Sequence, residues 1–162
     1  MYHSKLPSKA GYCNKIVSMN LSDSISKIMT NNVITLRPND SIAEAAKIFD
    51  AQGIHHIPVV EEGNLVGMVS KTDYLFFKRG FLDDKTDQRI EEIRMNNYEL
   101  SDIMTRDLQY IRANSPIQKA LELFQKNEFH ALPVLDEGQL VGLVTTFDII
   151  DNILTDQEVQ PS

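Results

Sequence analysis

Two short strings in the sequence place a hydroxyl and a carboxylate three positions apart: Ser70 precedes Asp73, and Thr145 precedes Asp148. An ionised aspartate offers two acceptor oxygens, so one such carboxylate can hold both neighbouring hydroxyl groups of a ribose. Each hydrogen bond to a charged group contributes about 1.5–3 kcal/mol. Both strings lie where a helix is predicted to begin, so the same residues could instead be plain helix caps favoured by the helix dipole.

Basic side chains are unequally distributed around the two strings. His55, His56 and Lys71 accompany the first string, whereas His130 is the only matching basic residue of the second. Together with the unpaired N–H groups of a first helical turn, such side chains could bind a phosphate. We therefore expect the two sites to differ, with the Asp73 site preferring phosphate-bearing nucleotides more than the Asp148 site does; a phosphate beside His55 would raise its pKa and make binding pH-sensitive. The ordinary alternatives are a histidine at a strand edge and a lysine on the surface.

Neither a metal site nor catalysis is predicted. The three histidines at positions 55, 56 and 130 lack a local ligand pair, and no cysteine or carboxylate cluster accompanies them. The sequence has no Gly-rich phosphate loop, no Gly-x-Ser-x-Gly elbow and no His-Glu-x-x-His motif. The single cysteine, Cys13, excludes an internal disulfide. We expect a protein that is not an enzyme and has neither catalytic residues nor a catalytic cofactor.

The two strings belong to an internal repeat with a constant offset of 75 positions, the separation of Asp73 from Asp148. Other segments recur in the same order without a gap: Ile28-Met29-Thr30 as Ile103-Met104-Thr105, and Pro58-Val59 as Pro133-Val134. Repeated units of this size are each one supersecondary motif that must pack against its neighbour. Each unit predicts the element order β-α-β-β-α.

The first unit supplies the turn and cap signals for these elements. Strands are expected at residues 33–36, 57–60 and 65–70, and the last helix is expected from about Thr72. Ser41 and Glu44 form a possible capping box for the first helix, and Gly53 is its expected end. A unit of this size cannot bury both faces of a three-stranded sheet alone, so two units are expected to pack sheet to sheet.

The second unit repeats the pattern with different end residues. Strands are expected at residues 108–111, 132–135 and 140–145, and the last helix is expected from about Phe147. Ser115 is the predicted cap of the first helix, with Pro116 at the first helical position, and Glu128 replaces the terminal glycine.

The domain limits follow from composition. We assign residues 1–20 to an N-terminal arm, 21–80 to the first repeat, 81–98 to a charged linker, 99–156 to the second repeat and 157–162 to a tail. The linker mixes both signs of charge, which predicts a solvated helix or loop. The net charge of −7 argues against nucleic acid, and the lack of a long apolar run argues against a membrane. No secretory signal is recognisable, so a cytoplasmic location is expected.

The repeated strings resemble a known family. Gly67-Met68-Val69-Ser70-Lys71-Thr72-Asp73 and Gly142-Leu143-Val144-Thr145-Thr146-Phe147-Asp148, with the Ile-Met-Thr and His-x-apolar-Pro-Val segments, look like a pair of CBS domains, or Bateman module. The resemblance covers about residues 22–155. It implies an α/β (α+β) fold of two tandem β-α-β-β-α repeats with pseudo-twofold symmetry and two clefts. It also implies a homodimer and an adenosyl ligand: AMP, ADP, ATP or S-adenosylmethionine.

The family's pattern further implies that both repeats line both clefts. The cleft of Asp148 would use Leu143, Thr30, Ile34 and Ile54. The cleft of Asp73 would use Met68, Thr105, Gln109 and Phe129. Gln109 departs from the apolar residue expected opposite Ile34, which weakens adenine packing on that side. The apolar members of both sets could equally be core residues.

Two functions of different class are consistent with these features. The first is a regulatory sensor module that binds an adenosyl ligand and transmits its occupancy to an unknown regulated protein. The alternative is a ligand-free dimerisation or protein-interaction module with vestigial clefts, which Gln109 and the missing second lysine favour. A third reading is binding of another anion, such as a cyclic dinucleotide or nucleic acid, and the acidic charge argues against nucleic acid.

Overall fold

The computed structural model describes residues 19–80, 88–127 and 129–155. The predicted tail, almost all of the predicted arm with Cys13, and the position of Glu128 lie outside the described residues. The elements are α1 (Ile42–Gln52), β1 (His56–Glu61), β2 (Asn64–Ser70), α2 (Lys71–Arg79), α3 (Gln88–Asn97), β3 (Ile111–Arg112), α4 (Ile117–Lys126), β4 (Ala131–Asp136), β5 (Gln139–Thr145) and α5 (Thr146–Thr155). Short 3-10 turns at Ile25–Lys27 and Leu100–Asp102 open the two repeats.

Helix α1 begins and ends where its terminal residues require. Ser41 Oγ accepts a hydrogen bond of 3.2 Å from the backbone N–H of Glu44, which is the N-cap half of the predicted capping box. Gly53 ends the helix in the left-handed conformation with a φ of 64°, as predicted. The face of α1 that carries Ile42 and Phe49 is buried, so helical spacing correctly identified the core side.

The hairpins of both repeats follow the prediction closely. β1 pairs antiparallel with β2, and β4 pairs antiparallel with β5. The turn between β1 and β2 has positive φ at both Glu62 (49°) and Gly63 (83°), which matches the right-handed twist of the flanking strands. Each hairpin leads directly into the last helix of its repeat, so the end of β2 or β5 fixes the start of α2 or α5.

The predicted strand at residues 33–36 is wrong, and proline explains why. Leu36 makes a single parallel bridge to β1, donating its N–H to Pro58 O at 3.2 Å and accepting from the N–H of Val60 at 2.8 Å. Extending this ladder backwards would require an N–H on Pro58, and extending it forwards would require one on Pro38. Both donors are missing, so the first repeat has a two-stranded sheet with one added bridge.

The equivalent strand of the second repeat is displaced for the same reason. Pro133 blocks the backward extension, so residues 108–110 are not part of β3, contrary to the prediction. Forward extension is possible here, because Ala113 replaces the proline and donates its N–H to Leu135 O at 3.1 Å. The result is a three-stranded sheet in the order β3-β4-β5, with β3 parallel to β4.

Helix α4 begins one residue later than predicted. Its N-cap is Pro116, in extended conformation with φ −70° and ψ 150°, and not Ser115. Contact with the other repeat holds this residue extended: Pro116 bridges to Ser24, and the N–H of Ile117 donates to Asp23 O at 2.9 Å. The helix start is therefore set by long-range pairing that local sequence does not reveal.

The charged linker contains a structural helix. α3 packs against α1, and Met95 on α3 is buried in the core of the first repeat. A salt bridge of 2.7 Å between Lys78 on α2 and Glu91 on α3 adds to this attachment. The prediction of a solvated segment holds for Glu92 and Ile93, which are exposed, and is wrong for Met95.

Each repeat sends its opening turn into the core of the other repeat. Ile25 is fully buried in the core of the second repeat, and its N–H donates to Ser115 O at 2.8 Å. Leu100, its equivalent, is fully buried in the core of the first repeat, and its N–H donates to Asp40 O at 2.9 Å. Burying each of these side chains contributes about 1.5–3 kcal/mol. The reciprocal exchange confirms the predicted pseudo-twofold relation of the repeats.

The two sheets meet at β2 and β5, which pack on each other. Two reciprocal backbone pairs join the repeats beside this contact, with N···O distances between 2.9 and 3.0 Å: Thr30 with Leu143, and Met68 with Thr105. These pairs are equivalent under the offset of 75, since each contains a threonine of one repeat and a strand residue of the other. The predicted architecture of two α/β repeats packed sheet to sheet is confirmed.

Candidate functional site

A cleft of about 1110 Å³ lies between the repeats, and both repeats line it. It contains both Asp73 and Asp148, which the resemblance had assigned to two separate clefts. The sites are therefore two halves of one continuous space. Its volume slightly exceeds the range of about 300–1,000 Å³ that single small-molecule pockets occupy, which fits a space made of two half-sites.

Asp73 forms a complete capping box with Ser70 at the start of α2, and both residues line the cleft. Asp73 Oδ2 accepts hydrogen bonds from the backbone N–H of Ser70 at 2.9 Å and from Ser70 Oγ at 2.7 Å, and the N–H of Asp73 donates to that Oγ at 3.1 Å. The helix-cap reading of this string is thus correct. Because Oδ2 is doubly engaged, Oδ1 is the carboxylate oxygen with capacity left for a ligand.

Asp148 repeats this arrangement with one addition. Its Oδ2 accepts from the backbone N–H of Thr145 at 2.6 Å and from Thr145 Oγ1 at 2.7 Å, while the N–H of Asp148 donates to Oγ1 at 3.2 Å. The hydroxyl of Thr30, from the other repeat, lies 3.5 Å from Asp148 Oδ1, a weak hydrogen bond. Within the described part of the chain, Thr105 makes no equivalent bond to Asp73. The half containing Asp73 therefore offers the less occupied carboxylate oxygen.

The first turns of α2 and α5 have few free N–H groups, contrary to the expectation of an anion site. The N–H of Lys71 donates to His55 O at 2.8 Å, and the N–H of Thr146 donates to His130 O at 3.1 Å. The capping boxes use a second N–H in each turn, on Asp73 in α2 and on Asp148 in α5. Because these amides already have acceptors, an anion placed here would meet far fewer donors than an open helix terminus provides.

Three histidines line the cleft as predicted. His55 and His130 are exposed, whereas His56 is half-buried. Burial lowers the pKa of His56 below its ordinary value of 6.5; the nearby His55 lowers it further, Asp73 opposes the shift, and His130 adds a smaller lowering. The imidazoles of His55 and His130 and the carboxylate of Asp73 are therefore all close enough to His56 to influence its pKa.

Lys71 is the one predicted ligand residue that the structure does not place in the cleft. Its ammonium group lies 3.5 Å from Asp50 Oδ1 on α1, and Lys71 is not among the residues that line the cleft. Asp50 is exposed, so this ion pair is weak. The predicted difference between the two halves therefore rests on the histidines rather than on a lysine.

The apolar walls include every residue that the resemblance assigned to them. Leu143 is nearly buried and Met68 is half-buried, and both serve the sheet contact and the cleft at once. Ile34, Ile54, Phe129 and the two threonines Thr30 and Thr105 complete the set. The exposed Gln109 also lines the cleft, so the departure expected on the Asp73 side is present in the structure.

Several lining residues were missed in the sequence. Three pairs are related by the offset of 75: Asn32 with Asp107, Val33 with Leu108, and Thr72 with Phe147. Gln52, Gly53 and Ala131 line the cleft as well. The repeat itself was a usable signal, because positions beside a predicted site residue in one copy reappear beside its equivalent in the other.

Metal binding and membrane insertion find no support in the described residues. No group of three or more His, Cys, Asp or Glu side chains in residues 19–80, 88–127 and 129–155 is arranged to hold a metal ion. Over the same residues, no helix has the length and apolar character needed to cross a bilayer.

Known proteins share the whole repeat pair. Residues 25–80 and 100–155 each match the CBS domain family. A CBS domain-containing protein of Dictyostelium discoideum is 31% identical over 140 residues, which is 85% of this chain and 95% of that protein. The inosine-5′-monophosphate dehydrogenase of Thermoplasma acidophilum is 34% identical over 124 residues, 76% of this chain, but there the chain spans only 22% of the enzyme's length.

Solved structures show the same fold. The CBS domain pair of protein MJ0100, in complex with 5′-methylthioadenosine and S-adenosyl-L-methionine, matches with a TM-score of 0.64 at 28% identity, over 83% of this chain and 97% of that one. The structure of CBSX2 in complex with AMP matches with a TM-score of 0.68 at 23% identity, over 83% of this chain and 98% of that one. The chain belongs to the CBS domain family and carries two of its domains in tandem.

Proposed function

We propose that this CBS domain pair is a sensor that binds an adenosyl ligand in the cleft between its repeats and passes the occupied state to a partner. CBS domain pairs are regulatory modules rather than catalysts. The single observation that carries the proposal is the cleft itself: both capped aspartates face one space walled by apolar side chains of both repeats. A ligand there touches the two repeats together, so binding favours one relative arrangement of them.

The chemistry of a nucleoside fits the lining. Asp73 Oδ1 has two lone pairs, which suffice for the two hydroxyl donors of a ribose without disturbing the capping box. Met68 and Leu143 lie at the sheet contact and offer apolar surface for a planar base. Support also comes from the relatives, because the related pair of protein MJ0100 is in complex with 5′-methylthioadenosine and S-adenosyl-L-methionine, and CBSX2 is in complex with AMP.

Calorimetric titration tests the proposal. We expect saturable binding of at least one of 5′-methylthioadenosine, S-adenosylmethionine, AMP and ATP, weakened by about tenfold or more in Asp73→Asn, since one hydrogen bond to a charged acceptor is worth about 1.5–3 kcal/mol. Asp102→Asn is the matched control, because Asp102 caps the N–H of Glu99 at 3.0 Å outside the cleft. Absence of binding with all four compounds would overturn the proposal.

Helix α5 offers a route from the cleft to a partner. Phe147 lines the cleft and is 69% exposed, and Ile150 and Leu154 continue the same apolar stripe at 50% and 55% exposure. On the equivalent helix α2, Phe76 is 80% exposed. Stripes of this kind on a soluble domain mark interaction surfaces. We assign this surface to a second copy of the chain, as a homodimer.

The charges of α2 and α5 support a second copy of the chain as the partner on this surface. Helix α2 carries Lys71, Lys78 and Arg79 against Asp73, whereas the charged residues of α5 are Asp148 and Asp151. A dimer that sets α2 of one copy beside α5 of the other would bring helices of opposite net charge together around apolar contacts. Ile150→Lys is expected to convert dimer to monomer in sedimentation velocity. Ile90→Lys, at the similarly exposed Ile90 on α3, should leave the mass unchanged. A wild-type monomer at high concentration would refute the homodimer.

One observation favours the alternative of a ligand-free interaction module. The capping boxes account for Ser70, Asp73, Thr145 and Asp148 without any ligand. Under this alternative, wild type binds none of the four compounds, and Asp73→Asn lowers helix stability without changing partner binding.

A further inference from the structure

The charged residues that line the cleft are acidic or weakly basic. Asp73, Asp107 and Asp148 contribute three carboxylates, and His55, His56 and His130 contribute three imidazoles. Of the described residues that line the cleft, none is lysine or arginine. With the imidazoles neutral, the lining therefore carries three negative charges and no fixed positive charge.

The backbone does not compensate for this imbalance. In the first turn of α2, the N–H groups of Lys71 and Asp73 are bonded to His55 O and Ser70 Oγ. In α5, those of Thr146 and Asp148 are bonded to His130 O and Thr145 Oγ1 in the same way. The nearest lysine in sequence, Lys71, points its ammonium group at Asp50. A phosphate in this cleft would thus lose its hydration and meet only uncharged donors in return, such as the side-chain amides of Asn32, Gln52 and Gln109.

Resting on the proposed function, we propose that the cleft selects adenosyl compounds by the charge of the group at the ribose 5′ carbon. It takes an uncharged thioether or a cationic sulfonium, and it disfavours a phosphate. A sulfonium gains Coulomb energy from the three carboxylates, and a thioether is indifferent to them, whereas a phosphate dianion is repelled.

The test is a comparison of three ligands at pH 8.0 by calorimetry on the full chain: 5′-methylthioadenosine, S-adenosylmethionine and AMP. We expect the thioether and the sulfonium to bind at least tenfold more tightly than AMP. Asp107→Asn, which removes a cleft carboxylate outside both capping boxes, should raise the affinity for AMP relative to that for the thioether by at least threefold.

Asp102→Asn, which removes a carboxylate outside the cleft, is the matched control and should leave the preference among the three ligands unchanged. Tight thioether binding together with equal or tighter AMP binding at pH 8.0 overturns the charge selection but leaves the proposed function intact. Failure of these three compounds and of ATP to bind overturns the proposed function and this inference with it, whereas binding of ATP alone overturns only this inference.

Discussion

Met29 lies against the bare α-carbon of Gly142, so closely that a Cβ at this glycine would come within 2.6 Å of the methionine sulfur and 3.0 Å of Thr30 O. The pair of Met104 and Gly67 has the same two distances on the other side of the pseudo-twofold axis, with the Thr105 carbonyl as the second neighbour. The missing side chain lets the opening segment of one repeat press onto a strand of the other. This close approach places Thr30 beside Leu143 at the floor of the cleft.

Gly142→Ala is therefore expected to lower the free energy of unfolding by about 1–3 kcal/mol, because the backbone carbonyl at Thr30 cannot yield as a flexible side chain can. Urea denaturation measures the loss. The double variant Met29→Ala, Gly142→Ala removes the thioether half of the clash, so it should be more stable than the sum of the single changes predicts. A fully stable Gly142→Ala would show that the segment can move away.

Removal of one helix cap should have a separate and smaller effect. Ser70→Ala deletes the hydroxyl that bonds Asp73 in both directions, and we expect it to cost about 0.5–2 kcal/mol of stability in the same urea measurement. Ser41→Ala, at the cap of α1, is the matched control outside the cleft and should cost a similar amount. Equal stability of Ser70→Ala and wild type would mean that the capping box contributes nothing.

Stability should fall as the pH is lowered from 7 towards 5.5. Burial is the main cause of the lowered pKa of His56, so below its ordinary value of 6.5 the unfolded chain binds a proton that the folded chain does not. Protonation then favours the unfolded state until folded His56 also titrates. Denaturation midpoints across this range should slope downward for wild type, flatten in His56→Gln and keep most of the slope in His55→Gln, where the exposed neighbour is changed. An unchanged slope in His56→Gln would assign the effect to another group.

Because each opening turn packs into the core of the other repeat, a substitution in the turn is expected to reduce the stability of a core that lies far away in the sequence. Ile25→Ala should lower stability by about 2–5 kcal/mol, and Leu100→Ala should do the same, because each leaves a cavity in a fully buried site. Leu21→Ala, at a side chain that is 40% exposed, should change stability by less than about 0.5 kcal/mol. Thermal or urea unfolding checks all three, and a small cost for Ile25→Ala would mean that the turn is only loosely attached.

Features that depend on residues close together in the sequence were predicted correctly. Gly53 and the hairpin strands could be placed because their conformational or pairing preferences lie within a few residues. The length of the first strand of each repeat could not be predicted locally. It is limited by Pro38, Pro58 and Pro133, which have no N–H to donate to a pairing partner distant in sequence. The start of α4 was missed by one residue for a similar reason, since Pro116 is held by Ser24.

The candidate site was predictable to the extent that the repeat and the family pattern determine it. Both aspartates and the three histidines were expected, and the structure gathers them around one cleft. The sequence did not predict that Lys71 points away from the cleft, because that depends on its ion pair with Asp50. It also did not predict that the carbonyl groups of residues 55 and 130 accept hydrogen bonds from the helix N–H groups. Which partner a polar group bonds depends on the folded structure, and this partner determines whether the group is available to a ligand in the cleft.

Because the opening turns are exchanged between the repeats, the two cores can form only in a fixed order during synthesis of the chain. The core of the first repeat takes its buried residues from the stretch between Leu36 and Met104, whereas that of the second combines Ile25 with residues between Ile111 and Ile149. One core is therefore nested inside the other along the chain. On the ribosome, the inner core can close once Met104 has emerged, while Ile25 must wait until Ile149 has emerged before its own core is complete.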